Sequence, residues 1–138
     1  MKRRATAVWN GTLKEGSGKL TTQSKLLDGS QYSFGTRFEE GKGTNPEELI
    51  AAAHAGCFAM ALSMNLGENG FTPDSLEATA TVTLDTTKGA LTESHLKLKA
   101  RIPGIDKEKF LECANAAKEN CLITKALRLK ITMDATLE

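Results

Sequence analysis

Five residues of this chain have types and surroundings that bear directly on chemistry: Cys57, Cys121, Arg37, Glu47 and His54, with Cys113 as a third thiol. A cysteine reacts as its thiolate, so each thiol has to be asked what would stabilise that charge. Cys57 lies among Ala, Gly, Phe and Met in a stretch with no charged residue from Leu49 to Leu66. Burial there raises a thiol's pKa and by itself leaves Cys57 inert. A cation would change that. His54 stands one helical turn away on the same face, and is equally suited to be a core histidine. Arg37 is always charged and presents a planar fork of donors, which makes it the better candidate. An arginine turned into an apolar site in turn calls for a carboxylate, and Glu47 is close by in sequence. Cys121 follows Asn120, which reads as the cap of a short helix beginning at Cys121. A thiolate is favoured at such a start, although a small residue filling a turn accounts for the position equally well. Cys113 shares an apolar stripe with Phe110 and Ala117 and reads as packing.

The element that must position Cys57 is signposted at both ends. Asn45 can cap, Pro46 suits a first helical position, and Glu48 completes a capping-box-like spacing. Asn69-Gly70, with Pro73 beyond, supplies the stop. Between them apolar or small residues occupy every helical angle, which predicts a helix covered on all sides. Its length would also suit a membrane span. The Ala-rich composition, His54, Ser63, Asn65 and the lack of a flanking basic cluster favour a core helix instead.

The 138 residues predict one domain, 1–138, and carry a formal net charge of +1, with charged residues a quarter of the chain. That balance gives no reason to expect nucleic acid or a membrane surface as partner. Lys2-Arg3-Arg4 is followed by too short and polar a segment for a signal-peptide core, so a cytoplasmic location is expected. An odd count of three cysteines in a reducing compartment argues for thiol chemistry or packing over a disulfide framework.

Arg3 to Trp9 reads as a strand, Lys14–Gly18 as a turn, and Lys19–Ser24 as its return. A turn at Asp28-Gly29-Ser30 leads to a short strand at Gln31–Phe34, and Arg37 to Gly43 reads as a polar loop. After the helix, Ser75–Asp85 alternates with Leu76, Ala78, Ala80, Val82 and Leu84 on one face. Ser94, Leu96, Leu98, Ala100 and Ile102 then form the dry row of an antiparallel partner. Asp106 caps a helix to about Glu119, and a last strand runs from Leu127 to Leu137. The order βββ-α-ββ-αα-β is that of an α+β domain. One uncharged helix needs more cover than so small a chain provides, so a dimer is expected, with two such helices side by side between sheets.

Gly35-Thr36-Arg37-Phe38-Glu39, followed by Gly43-Thr44-Asn45-Pro46-Glu47-Glu48-Leu49-Ile50-Ala51-Ala52-Ala53-His54-Ala55-Gly56-Cys57-Phe58, closely resembles the OsmC/Ohr family of thiol peroxidases, nearer to its osmotically inducible branch. The resemblance extends through Gly70-Phe71-Thr72-Pro73 and Pro103-Gly104-Ile105-Asp106. It implies an intertwined homodimer, with antiparallel sheets wrapped around long central helices, that reduces organic hydroperoxides in oxidative or osmotic stress defence. By the same resemblance Cys57 matches the peroxidatic cysteine, Cys121 the resolving cysteine, Arg37 the catalytic arginine and Glu47 the catalytic glutamate. Cys57 would become a sulfenic acid, condense with Cys121 to a disulfide, and be recycled by an external dithiol, of lipoyl type in related members. No metal or other cofactor is implied. The family usually continues after its second cysteine with Pro and, two residues later, Ser; Leu122 and Thr124 stand there in this chain.

Phe58, Met60 and Phe71 are the expected apolar lining of the site. The rival function is a non-enzymatic protein of the same fold that binds a small apolar ligand, which would have no use for a second thiol. A metal site at His54 and Cys57 would have too few ligands. Glu47 and Cys57, ten residues apart on one helix, are about 15 Å apart along its axis. Each active site is therefore expected to be shared between two antiparallel chains, with Arg37 and Glu47 from one and Cys57 and Cys121 from the other.

Overall fold

In the computed structural model, which describes Met1–Glu138, the chain forms two compact units, Met1–Leu49 and Ile50–Glu138. The first is built on an antiparallel sheet of β1 (Ala5–Asn10), β2 (Ser17–Thr22) and β3 (Asp28–Tyr32), in that order. Trp9 and Tyr32 flank Gly18 in the strand register, and their rings lie 5.4 Å apart. A Cβ at Gly18 would come within 2.3 Å of the Tyr32 ring, so only glycine lets this aromatic pair close over the strand. Asp28-Gly29-Ser30 is strand rather than turn. The chain reverses earlier because Thr22 and Leu27 exchange hydrogen bonds: the Thr22 N–H donates to the Leu27 carbonyl at 2.9 Å, and the Leu27 N–H to Thr22 Oγ1 at 3.1 Å.

The expected loop at Arg37 is, in its first part, a short helix, α1 (Phe34–Phe38). Ser33 and Thr36 cap it reciprocally. The Thr36 N–H donates to Ser33 Oγ at 3.2 Å and the Ser33 N–H to Thr36 Oγ1 at 2.8 Å. The signal was Ser33-x-x-Thr36, with Thr in place of the usual Glu or Gln, followed by glycines that made the segment read as loop. Asn45 ties this turn to the next helix, donating from Nδ2 to the Thr36 carbonyl at 3.1 Å.

Helix α2 (Pro46–Glu68) begins in the first unit and continues through the second. Asn45 Oδ1 accepts from the Glu48 N–H at 2.8 Å, as its position predicts. The Glu48 carboxylate does not reach back to the Asn45 N–H; it accepts from the Thr44 hydroxyl. Gly70 ends the segment at φ +83°. By length and composition alone α2 could cross a membrane. Here it is a core helix with one dry face, on which His54, Phe58, Leu62 and Leu66 recur every fourth residue and are fully buried. The opposite face is uncovered in the single chain: Ala53, Gly56, Met60, Met64 and Gly67 are all exposed. The expectation of cover on all sides therefore fails for one chain by itself, because a single sheet can pack against only one side of a helix.

That sheet contains β4 (Ser75–Asp85), β5 (Ala90–Arg101) and β6 (Lys130–Leu137). β4 and β5 pair antiparallel over the length predicted by their alternation. β6 lies parallel to β5, which requires a long crossover, and helices α3 (Lys107–Asn120) and α4 (Leu122–Ala126) provide it. Leu96, Leu98 and Ala100 of β5 join Phe110, Cys113, Ala114 and Ala117 of α3 against the dry face of α2. Each fully buried Leu or Phe there contributes about 1.5–3 kcal/mol. Asp106 caps α3 by accepting from the Lys109 N–H at 2.8 Å. Asn120 is the last residue of α3, not the cap of α4. Cys121 occupies the joint, and its own N–H closes α3 on the Ala117 carbonyl. β6 starts later than Leu127 because the Leu127 N–H is used to close α4 on Ile123.

Candidate active site

Cys57 and Cys121 meet. Cys57, half-buried on α2, and Cys121, 1% exposed at the α3–α4 joint, face one another thiol to thiol. Both line an apolar cavity of about 690 Å³ together with Ala53, Met60, Met64 and Ile123. Of the expected lining, Met60 is present. Phe58 faces the other way, fully buried in the core, since one residue along a helix turns a side chain by about 100°. Phe71 packs against that core and is not part of the cavity.

The prediction that a helix start would favour a Cys121 thiolate needs correction. Its sulfur does face the N–H groups of Ile123 and Thr124 and the Thr124 hydroxyl, all of which favour the charged form. Burial, with the neighbouring Cys57 thiol adding to it, outweighs them and pushes the Cys121 thiol up. Cys113 is likewise pushed up by burial, in the packing role its stripe predicts.

Arg37 and Glu47 also meet, inside the first unit. The guanidinium donates from Nε and Nη2 to Glu47 Oε1 at 3.0 and 2.9 Å. Glu47 Oε2 is buried with no hydrogen-bond partner. The guanidinium carbon lies 5.4 Å from the Phe38 ring centre, within cation–π range. Arg37 borders a second cavity, of about 310 Å³, lined by Trp9, Leu13, Tyr32, Phe34 and Phe38. Sequence reasoning did not foresee this aromatic cluster, whose members are spread over β1, β3 and α1.

His54 does not turn to Cys57. Its Nδ1 is 2.7 Å from Ser94 Oγ and its Nε2 2.8 Å from Thr124 Oγ1. Burial holds its pKa below the usual histidine range, which keeps the ring neutral. With both nitrogens engaged it has no lone pair to share with Cys57 in a metal site. Ser94 was visible beforehand as a hydroxyl in an otherwise apolar inward row. Thr124 stood out only as the residue in place of the family's usual Ser, with nothing to link it to His54.

A family model described as OsmC-like protein matches residues 39–136. Peroxiredoxin OsmC of Escherichia coli (strain K12) is 46% identical over 138 residues, covering 99% of this chain and 96% of that protein. The chain belongs to the OsmC/Ohr family. Organic hydroperoxide resistance protein OhrB of Bacillus subtilis (strain 168) is 31% identical, covering 88% of this chain and 90% of its own length. The crystal structure of B. subtilis OhrB superposes with a TM-score of 0.65 at 27% identity, over 98% of both chains. The α+β arrangement of two sheets and four helices is thus the OsmC/Ohr fold. Arg37 precedes the residues that the family model matches, but lies within the span shared with the E. coli relative.

Proposed function

We propose that this OsmC/Ohr chain is a thiol peroxidase that reduces organic hydroperoxides to alcohols, with Cys57 as attacking thiol and Cys121 as resolving thiol. The observation that carries the reading is the juxtaposition of the two thiols at the wall of an apolar cavity. The names of the E. coli and B. subtilis relatives point the same way. The Cys57 thiolate attacks one oxygen of the peroxide, the O–O bond breaks, and the other oxygen leaves, after protonation, as the alcohol. Cys57 becomes a sulfenic acid. Cys121 attacks its sulfur, forming the S–S bond and expelling hydroxide, which leaves as water. An external dithiol then reduces the disulfide by two exchanges. Such recycling suits the reducing cytoplasm and a role in stress defence.

In this reading Arg37 stabilises the thiolate and the developing alkoxide. Glu47 Oε1 fixes the guanidinium, and its free Oε2 can accept from the peroxide O–H. Cavity walls without charge favour an alkyl or aryl group, at about 25 cal/mol per Å² of apolar surface buried. The site is completed in a homodimer, where the start of one α2 lies beside the middle of its partner's. The uncovered face from Ala53 to Gly67, with Met60 76% exposed, supports that assembly.

Cys57→Ser should abolish turnover of cumene hydroperoxide, and Cys121→Ser should allow one turnover and accumulate oxidised Cys57. Mixing Glu47→Ala with Cys57→Ser chains and letting them exchange should restore part of the activity. Undiminished steady-state turnover in Cys57→Ser would overturn the mechanism and leave the rival, a binding protein for small apolar molecules, in its place.

A further inference from the structure

The buried polar residues of the second unit form one chain of contacts that ends on the resolving thiol. Ser94 on β5 meets His54 Nδ1 at 2.7 Å, and His54 Nε2 meets Thr124 Oγ1 at 2.8 Å. The Thr124 hydroxyl and N–H in turn face the Cys121 sulfur, and Cys121 faces Cys57. His54 and Ser94 are both 0% exposed. A fully buried imidazole is costly unless each nitrogen is satisfied, and here the second partner is shared with a thiol.

We propose that His54 is a positioning residue for disulfide formation: through the Thr124 hydroxyl it orients the Cys121 thiol toward oxidised Cys57 and takes up the proton that the thiol loses. The inference rests on the roles given to Cys57 and Cys121 above. A donor on Nδ1 directed at Ser94 Oγ leaves the Nε2 lone pair to accept from Thr124. Once Cys57 is oxidised, the Cys121 S–H can turn from it to the hydroxyl oxygen, which accepts it. As Cys121 attacks, its proton moves to Thr124 Oγ1, and the Thr124 proton moves to His54 Nε2. The S–S bond forms, the S–O bond of Cys57 breaks, and the departing hydroxide is protonated to water. The imidazolium then returns its proton to solvent, so thiol and sulfenic acid give disulfide and one water with no further oxidant. Such a relay answers a specific need, because Cys121 is buried and its thiol is pushed up. No charged group contributes to the lowered pKa of His54, for which burial is the sole cause. Besides His54 itself, the titratable groups along the contact chain are the two thiols.

The test is a single turnover with one equivalent of cumene hydroperoxide, following Cys57 oxidation and Cys57–Cys121 disulfide separately by quenching and mass spectrometry. Thr124→Val should slow the disulfide step roughly tenfold or more, and His54→Gln by roughly a hundredfold, in the range of positioned proton transfer. In both, Cys57 oxidation should slow far less. Thr124→Ser, which keeps the hydroxyl, should recover the disulfide rate to within about threefold of the native chain, as expected if the hydroxyl carries the proton. A Thr124→Val chain that forms the disulfide as fast as the native one would overturn the inference. So would a Thr124→Ser chain as slow as Thr124→Val, or a His54→Gln chain in which both steps slow equally, since each marks a purely structural role. If His54→Gln does not fold, the two Thr124 variants decide. Failure of the native chain to form any Cys57–Cys121 disulfide would overturn the peroxidase reading as well, whereas the other outcomes leave that reading standing.

Discussion

Cys57 is half-buried and borders an open cavity, whereas Cys113 and Cys121 are each 1% exposed with thiols pushed up by burial. Alkylation needs both a thiolate and access. Iodoacetamide at neutral pH should therefore modify Cys57 first, with Cys121 and Cys113 at least about tenfold slower, as read by peptide mass mapping over time. Faster labelling of Cys121 would mean that the N–H groups of Ile123 and Thr124 outweigh its burial. Arg37 and Glu47 show a different residue-scale logic. The pair is held by two donors on one oxygen, a geometry that a lysine's single ammonium does not reproduce.

Between elements, the polar contacts matter as much as the apolar ones. His54 joins α2 to β5 through Ser94 and to α4 through Thr124. Its folded-state pKa lies below the ordinary histidine value of 6.5, so between those two values the unfolded chain binds more protons than the folded one. Stability is then flat with respect to this group above pH 6.5 and falls as the pH drops below it, down to the folded pKa. The slope for one proton is at most about 1.4 kcal/mol per pH unit. Melting temperatures at pH 7.5 and pH 5.5 should accordingly differ less in His54→Gln than in the native chain. Parallel curves for the two proteins would show that His54 is not the group responsible. Leu122, where the family usually has Pro, is 73% exposed at the first position of α4. Cys121 before it, at φ −55° and ψ 127°, already has backbone angles that a following Pro tolerates, so the joint keeps its shape without one.

At the scale of the whole molecule, the open face of α2 decides between a lone chain and an assembly. A Cβ at Gly56 would meet nothing within 4 Å in the single chain. If that face stayed in water, replacing Gly56 by Ala would stabilise the helix by about 1 kcal/mol. In the proposed dimer the same position lies under a second helix. Gly56→Leu should then lower the melting temperature and shift sedimentation equilibrium from twice 14.8 kDa toward 14.8 kDa. A raised melting temperature with unchanged mass would count against the shared site.

The amino-acid sequence by itself determined what depends on neighbours a few residues apart. Asn45-Pro46 and Gly70 bounded α2 because caps and stops are local hydrogen-bond and φ requirements. The alternation from Leu76 to Leu84 placed β4 because side chains change face at every residue. Phe110, Cys113, Ala114 and Ala117 marked the dry side of α3 because a helix repeats every 3.6 residues. The pairing of Cys57 with Cys121 was legible only through family resemblance, since no local rule brings residues 64 positions apart together, whereas the need of a guanidinium in an apolar site for a carboxylate already pointed from Arg37 to Glu47. Tertiary structure alone decided the rest. It turned His54 from Cys57 to Ser94 and Thr124, placed Cys121 between two helices where burial outweighs the helix start, and gathered Trp9, Tyr32, Phe34 and Phe38 beside Arg37. Each of these depends on distant segments packing together, and on desolvation that exists only once they have done so.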